Sequence, residues 1–467
     1  MVVMKFGGTS VKDADAIQRV AKIVAREAAR TGPPVVVVSA MSGVTDQLLA
    51  AVGCVEAGDG DAAAAHVAAM RDRHRAAAVA LLPEADADAV LDALERGWRD
   101  TGAILQAMAV LREVSPRSRD AVVAMGEVAS SRLVAAALPH LGVPAAWADA
   151  RQVLVTDDGH GSAQPDLPTT THRLREEVMP HILDGRAVVI GGFVGATREG
   201  VTTTLGRGGS DYSASLFGAG LRASAIQIWT DVDGMLTADP RIVAGVRPLA
   251  ALSFAEASEL AYFGAKVLHP STIAPAVTDG IPVLILNSHR PDVPGTTITA
   301  APPLPEAQVT GLACKRDITV VDIRSTKMLA AYGFMRRVFE VFERHRTSVD
   351  VITTSEVSVS ITIDDRRHLA AIVDDLSGFS DVAVEHEMAL LCAVGERLRL
   401  EPGVSARVLG ALEPFPLRMV SQAGARRNLT VVLPQQHLQA AMTLLHDRFC
   451  VVAPGVADAS PLAGARA

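Results

Sequence analysis

The stretch Val2–Val24, VVMKFGGTSVKDADAIQRVAKIV, decides how the first part of this 467-residue chain is read. An apolar run ends in small residues, and Ile17, Val20, Ala21 and Val24 then recur at helical spacing on one face. The same order returns along the chain. VVVVSAMSG (35–43) runs into VTDQLLAAV (44–52), and AVVIGGFVG (187–195) and IQIWTDVDG (226–234) follow. A helical IAPAVTDG (273–280) and then VLILN (283–287) close the series. Continuous apolar strands alternating with helices predict a mostly parallel sheet covered on both faces. Ligands of such sheets sit beyond the carboxyl ends of the strands, where these glycine-rich loops fall. Residues 54–140 read instead as mostly helical, with breaks near Pro83 and at SPRS (115–118).

At Thr299–Gln308, TAAPPLPEAQ, three prolines interrupt the pattern and mark the main boundary. Beyond it, ITVVDIRS reads as a strand, and MLAAYGFMRRVFEVFERHR as a helix burying Phe334, Val338, Val341 and Phe342. VDVITTSEVSVSITID alternates like a hairpin, and RRHLAAIVDDLSG follows as a helix. VSARVLGALEPF, LRMVSQAG, LTVVLP and QQHLQAAMTLLHDRF repeat that order in brief, which predicts two βαββαβ modules in tandem. The expected organisation is an α/β block over 1–300, a first module over 308–390 and a second over 391–450. The leading segment 309–317 is able to pair with the second module. The tail 451–467, rich in Pro, Gly and Ala, is expected to be disordered.

With 44 basic and 52 acidic residues the net charge is -8, and no block of like charge suggests a nucleic-acid surface. The first apolar run is too short for a signal peptide or a membrane span, so no membrane partner is expected. Cys54, Cys314, Cys392 and Cys450 lie far apart without a CxxC; buried thiols in a reducing cytoplasm are the expectation. GxxxxGK[ST], a GxGxxG after a strand, and HExxH are all missing.

Charged residues beside glycines carry the chemistry. In TTTLGRGGSDYSAS (202–215), glycines let backbone N–H groups approach a ligand, and the helix that follows offers its N-terminus to an anion. Arg207 and Asp211 need partners there. Lys5 ends an otherwise apolar strand, where a charge is costly unless it faces a ligand. Lys266 in GAKVLHP reads alone as solvated surface, Glu127 in AMGEVASS as a carboxylate stabilised by the helix dipole, and FGGTS as a tight turn.

Together, KFGGTSV, TTTLGRGGSDYSA, WTDVDGMLTADPR and FGAKVLHP stand in the order and spacing found in aspartate kinases, and the chain from Val2 to about Phe449 resembles that family. The likeness is strongest to the monofunctional, lysine-sensitive kind. It implies an amino-acid kinase fold, an open αβα sandwich, over 1–300, ACT domains for the paired modules, and no homoserine dehydrogenase segment. The implied reaction moves the γ-phosphoryl of ATP to the β-carboxylate of L-aspartate, the first step toward lysine, threonine and methionine. Within the same fold, other amino-acid kinases share the loop logic, and a catalytically inactive ACT-type sensor is the alternative from another class.

By the same resemblance, Lys5 stabilises the transferring phosphoryl group and Asp211 orients the lysines. Arg207 takes the substrate α-carboxylate and Glu127 its α-ammonium, with Ser39, Thr45, Gly208, Gly209 and Ser210 as further substrate contacts. ATP falls to Lys5, Gly7, Gly8, Ser10, Thr230, Asp231, Leu236, Arg241, Lys266 and Val267, with Mg2+ carried by the nucleotide and no dedicated metal site. Leu236 stands where relatives often have tyrosine, so an apolar nucleotide contact, or none, is expected there. An allosteric lysine would meet Met328, Gly333, Phe334, Ser348, Val349, Asp350, Ser355 and Glu356. Ala330 and Ala331 stand where such relatives often show His-Ser. ACT pairing implies a homodimer or a higher assembly.

Overall fold

The computed structural model describes residues 1–264, 270–304, 306–325, 328, 332–422, 424 and 427–451. The chain divides into two compact units, Met1–Met235 with Pro248–Phe254 and Lys266–Pro302, and Leu236–Arg247 with Ala255–Ala265 and Pro303–Ala467.

In the first unit, strands β1 (Val2–Phe6), β2 (Val35–Val38), β3 (Ala145–Ala148) and β4 (Ala187–Gly191) alternate with helices, as their unbroken apolar runs require. The helices are α1 (Ala14–Thr31), α2 (Val44–Glu56), α3 (Gly60–Leu81), α4 (Glu84–Leu111), α5 (Pro116–Val123), α6 (Met125–His140), α7 (Ala150–Val153), α8 (Leu167–Glu177) and α9 (Met179–Leu183). Next come β5 (Val194–Ala196), β6 (Thr202–Thr204), α10 (Gly209–Leu221), β7 (Ala225–Thr230) and β8 (Ala251–Ser253). α11 (Phe254–Tyr262), α12 (Ala274–Thr278), β9 (Val283–Asn287) and β10 (Thr296–Thr299) complete the series, all of α11 but its first residue belonging to the second unit.

Among the described residues, eight strands form one sheet in the order β3-β4-β2-β1-β7-β9-β10-β8. Its neighbours are parallel except β9 and β10. Asp13 caps α1 by accepting from the Ala16 N–H at 2.8 Å, which starts the helix where the sequence pattern begins. The helical stretch before residue 140 breaks at Pro83 and at Ser115, where Pro116 opens α5. Pro116–His140 is long and apolar enough to cross a bilayer, but 83% of its apolar window is buried inside the protein, the pattern of a core helix. TTT (202–204) does not join the large sheet; it pairs antiparallel with β5 in a two-stranded ribbon.

The second unit contains β11 (Gly311–Arg324), α13 (Phe334–Arg344), β12 (Ile352–Thr354), β13 (Ser358–Ile363), α14 (Leu369–Ser377) and β14 (Asp381–Val394). It continues through α15 (Glu396–Leu400), α16 (Val404–Ala411), β15 (Met419–Ser421), β16 (Asn428–Pro434) and α17 (Leu438–Leu445). Two hydrophobic cores lie in this unit, one around Val321, Phe334, Ile361 and Leu376, the other around Leu391, Val408, Val431 and Leu445. The sheet is nevertheless one antiparallel array, β12-β13-β11-β14-β16-β15. β11 and β14 are each 14 residues long and run through both modules, with Gly311–Lys315 opposite Val394–Leu390. Between the halves the register shifts around Ile318, and Asp317 and Glu387 take positive φ of 58° and 57°. Such a bulge lets one pair of strands turn from one core to the next.

Two segments inside the 1–300 stretch belong to this unit because their side chains are spent there. Ala238, Ile242 and Val243 enter the core around Val431, while Glu256 accepts from Thr310 Oγ1 at 2.7 Å and Glu259 from Asn428 Nδ2 at 2.6 Å. All four cysteines are free thiols, but only Cys392 and Cys450 are buried; Cys54 and Cys314 are half-buried.

Candidate active site

Lys5 is the fourth of five residues in β1, rather than its last, and lies between Val37 of β2 and Ile228 of β7 at the centre of the sheet. There its ammonium needs a counter-charge. Asp211 supplies it from the first turn of α10, with Nζ–Oδ1 2.6 Å and side-chain exposures of 11% and 15%. The turn into α10 depends on glycine. Gly208 is left-handed at φ 71°, and a Cβ on Gly209 would come within 2.6 Å of the Phe193 ring. The loop after β1 is equally tight. A Cβ on Gly8 would lie 2.8 Å from the Ala40 carbonyl oxygen, and the Gly8 carbonyl accepts from Ser42 N–H at 3.1 Å.

Glu127 enters from the first turn of α6 and is buried. Burial raises its carboxyl to about 8, against the lowering pull of hydrogen bonds with the Ala40 and Glu127 backbone and of the Lys5 charge. Its Oε2 is buried with no hydrogen-bond partner. An unpaired buried carboxyl oxygen beside a cavity is a place for a cationic ligand group. That cavity, about 980 Å³, is lined by Lys5, Ser39, Thr45, Glu127, Arg207 and Asp211, with Gly8, Gly208, Gly209 and Ser210 in its wall. Arg207 is exposed at its edge. The substrate-side candidates are thus brought together in one place. Asp120 and His160 also line it and were missed in the sequence. The only available signal was that Asp120 precedes Glu127 by seven residues, two helical turns.

The nucleotide-side candidates are not gathered in the same way. Gly7, Ser10, Thr230 and Asp231 do not line the cavity. Gly7 N–H donates to the Trp229 carbonyl at 3.2 Å, the Ser10 and Ser288 hydroxyls meet at 2.8 Å, and Thr230 Oγ1 donates to Asp231 at 3.2 Å. Leu236 and Arg241 lie in the second unit, where Leu236 is half-buried and Arg241 forks the Asp239 carboxylate at 2.6 Å. Lys266 and Val267 lie outside the described residues. Among the described residues, no cluster of three His, Cys, Asp or Glu side chains could hold a metal ion.

Of the effector candidates, Gly333 caps α13 at φ 84°, Phe334 packs edge-on against Phe379 at 5.7 Å, and Met328 and Val349 are half-buried. Ser348 and Glu356 are exposed, and Ser355 Oγ meets Ser358 Oγ at 2.7 Å. The Asp350 side chain, only 4% exposed, already holds an ammonium: Lys315 Nζ lies 2.6 Å from Oδ1, and Tyr262 OH donates to the same oxygen at 3.1 Å. Its Oδ2 is buried with no hydrogen-bond partner. Ala330, Ala331 and the tail 452–467 lie outside the described residues.

Comparison with known proteins gives the family of the chain. Residues 1–287 match the amino acid kinase family, and residues 391–449 match the ACT domain. The chain is 38% identical over 462 residues to the lysine-sensitive aspartokinase 3 of Escherichia coli K12, covering 96% of this chain and 98% of that protein. The structure of E. coli aspartokinase III with lysine and aspartate superposes with a TM-score of 0.82 at 36% identity, over 96% of this chain and 99% of the other. The same enzyme with aspartate and ADP gives 0.81 at 36% identity, again over 96% and 99%. The aspartate kinase of Clostridium acetobutylicum gives 0.80 at 26% identity, over 96% and 100%. An α/β domain with a mostly parallel sheet followed by an ACT-type antiparallel sheet, matched along its length by such relatives, belongs to the amino acid kinase family, and within it to the aspartokinases.

Proposed function

We propose that this chain phosphorylates the β-carboxylate of L-aspartate with the γ-phosphoryl of ATP, giving 4-phospho-L-aspartate on the way to lysine, threonine and methionine. The observation that carries the reading is one cavity lined by the Lys5–Asp211 ion pair and by Glu127 with its unpaired carboxyl oxygen. The difficulty of the reaction is that an anion must attack a polyanion. With a pKa of about 3.9 the substrate side chain is already ionised at neutral pH, so no general base is required. The protein's task is positioning and charge stabilisation.

Lys5 is the cation at the transferring group, and Asp211 holds it in place. Arg207 grips the α-carboxylate in bidentate fashion, and Glu127 takes the α-ammonium. Asp211 is engaged with Lys5 and Asp120 with backbone and side-chain donors, and no group of three possible metal ligands occurs among the described residues, so a Mg2+ would arrive on the nucleotide phosphates. That ion neutralises phosphate charge. In the second unit, the Asp350 side chain, buried and with an unpartnered Oδ2, supports an ammonium-bearing effector, lysine; an assembly of at least two chains rests on the resemblance to ACT-bearing kinases alone.

Trapping the product with hydroxylamine tests the reading. ATP with L-aspartate is expected to yield aspartyl hydroxamate. Hydroxamate from a different acid alone would point to another amino-acid kinase, and none from any acid to a sensor without catalysis.

A further inference from the structure

Asp120 is buried, with a side chain 4% exposed, on the first helix after the SPRS break. Every hydrogen-bond contact that its carboxylate makes is with a donor. Oδ2 accepts from His160 Nδ1 at 2.9 Å, from the Gly161 N–H at 3.0 Å and from the Thr204 N–H at 3.1 Å. Oδ1 accepts from Thr204 Oγ1 at 2.7 Å. A carboxylate can serve four donors in this way, and an amide cannot, because one of its two terminal atoms is itself a donor.

The donors come from two separate pieces of chain that meet the glycine loop. Thr204 ends β6 immediately before Leu205-Gly206-Arg207-Gly208, and its carbonyl accepts from the Ala163 N–H at 3.0 Å. Gly161 lies against Gly206, which is left-handed at φ 78° and whose Cβ, were there one, would sit 2.9 Å from the Gly161 carbonyl oxygen. The loop that carries Arg207 to the cavity edge is therefore pinned at its start through Thr204 and along its path through Gly161. Both ties end on the same buried carboxylate.

We infer that Asp120 is a positioning residue for the substrate: by clamping Thr204 and the 160–161 turn to α5 it sets the path of the 205–208 loop, and through that path the place of Arg207. This inference rests on the proposed role of Arg207 in holding the acceptor acid. It also says why a buried anion is kept so close to a site that binds an anionic substrate. The charge is consumed by its four donors and acts on the loop, not on the ligand.

The test compares Asp120→Asn, Thr204→Val and Thr204→Ser with the wild-type chain. For Asp120→Asn, kcat/KM for L-aspartate is expected to fall roughly 100-fold, mostly through KM, the scale set by a misplacement of about 1 Å in a binding group. KM for ATP should stay within about twofold, because a change that spares the ATP site removes none of its binding interactions. Thr204→Val should show the same split to a smaller degree, and Thr204→Ser, which keeps the hydroxyl, should restore it. Hydrogen exchange adds a readout that does not need turnover. Peptides spanning 158–164 and 200–212 should exchange faster in Asp120→Asn, since two of the lost bonds are to their amides. Unchanged KM for aspartate, equal losses for aspartate and ATP, or unaltered exchange in both peptides would each overturn the inference. If the wild-type chain makes no aspartyl hydroxamate, the functional reading fails, and the exchange result still decides whether Asp120 clamps the loop.

Discussion

At the scale of single residues, Lys5 and Glu127 show how much a charge depends on what surrounds it. Lys5→Ala removes the cation proposed to stand at the transferring group and leaves Asp211 without its ion-pair partner. A loss of roughly 100- to 1,000-fold in kcat is expected, the size found when one preorganised electrostatic contact is deleted. Asp211→Asn should also lower kcat, since the amide holds the ammonium less firmly. A near-normal kcat in Asp211→Asn would remove its orienting role. Glu127 makes a prediction about protons. Its folded carboxyl ionises near 8 against 4.5 for an ordinary one, so folding takes up a proton in that window, and stability of the ligand-free protein falls as pH rises through it. A bound α-ammonium favours the ionised form and pulls the pKa back down. Aspartate binding at pH 7 should therefore release about one proton per site. Calorimetry in buffers of different ionisation enthalpy measures it, and Glu127→Gln should abolish it.

At the scale of elements, the glycine loops matter because backbone approaches backbone. Gly8 needs no left-handed conformation; it is glycine because the Ala40 carbonyl leaves no room. Gly8→Ala is expected to cost about 1–3 kcal/mol in stability, typical of overpacking where the obstructing atom is main chain. It should also weaken binding at the loop after β1. Chemical denaturation together with ATP binding would measure both, and an unchanged midpoint would mean that the loop yields. Several elements were readable directly. The run 35–38 is buried at every position, as an apolar run without alternation predicts, and new helices start at the Pro83 and Ser115 signals. β6 was less readable. Three threonines suit any strand, and nothing local says that they pair with Val194–Ala196 rather than join the main sheet.

At the scale of the whole molecule, the proposed regulation by lysine meets a competitor already in the chain. Lys315 occupies the Asp350 carboxylate, so an effector ammonium has to share or displace it. An effector acts only by its differential affinity for two states. Asp350→Ala should raise the half-inhibitory lysine concentration by roughly tenfold or more, about 1.4 kcal/mol of coupling, and leave kcat without lysine nearly unchanged. Separate titrations of lysine, threonine and methionine decide this. Inhibition by threonine alone, or lysine inhibition unaltered in Asp350→Ala, would count against lysine as the ligand.

Features that depend on neighbours a few positions away were legible without coordinates: the mostly parallel α/β architecture, the strand-end loops, and the need of Lys5 and Asp211 for partners. Periodicity and turn chemistry are local, so they survive without a structure. Only the fold brings Lys5 and Asp211, 206 residues apart, to within 2.6 Å of each other. It decided that Glu127 is desolvated enough to hold its proton, and that Asp120 ties Thr204 to Gly161. It also fused the two C-terminal modules into one sheet through β11 and β14. Desolvation and long-range hydrogen bonds sum over atoms brought together from distant parts of the chain, and no window of sequence contains that sum.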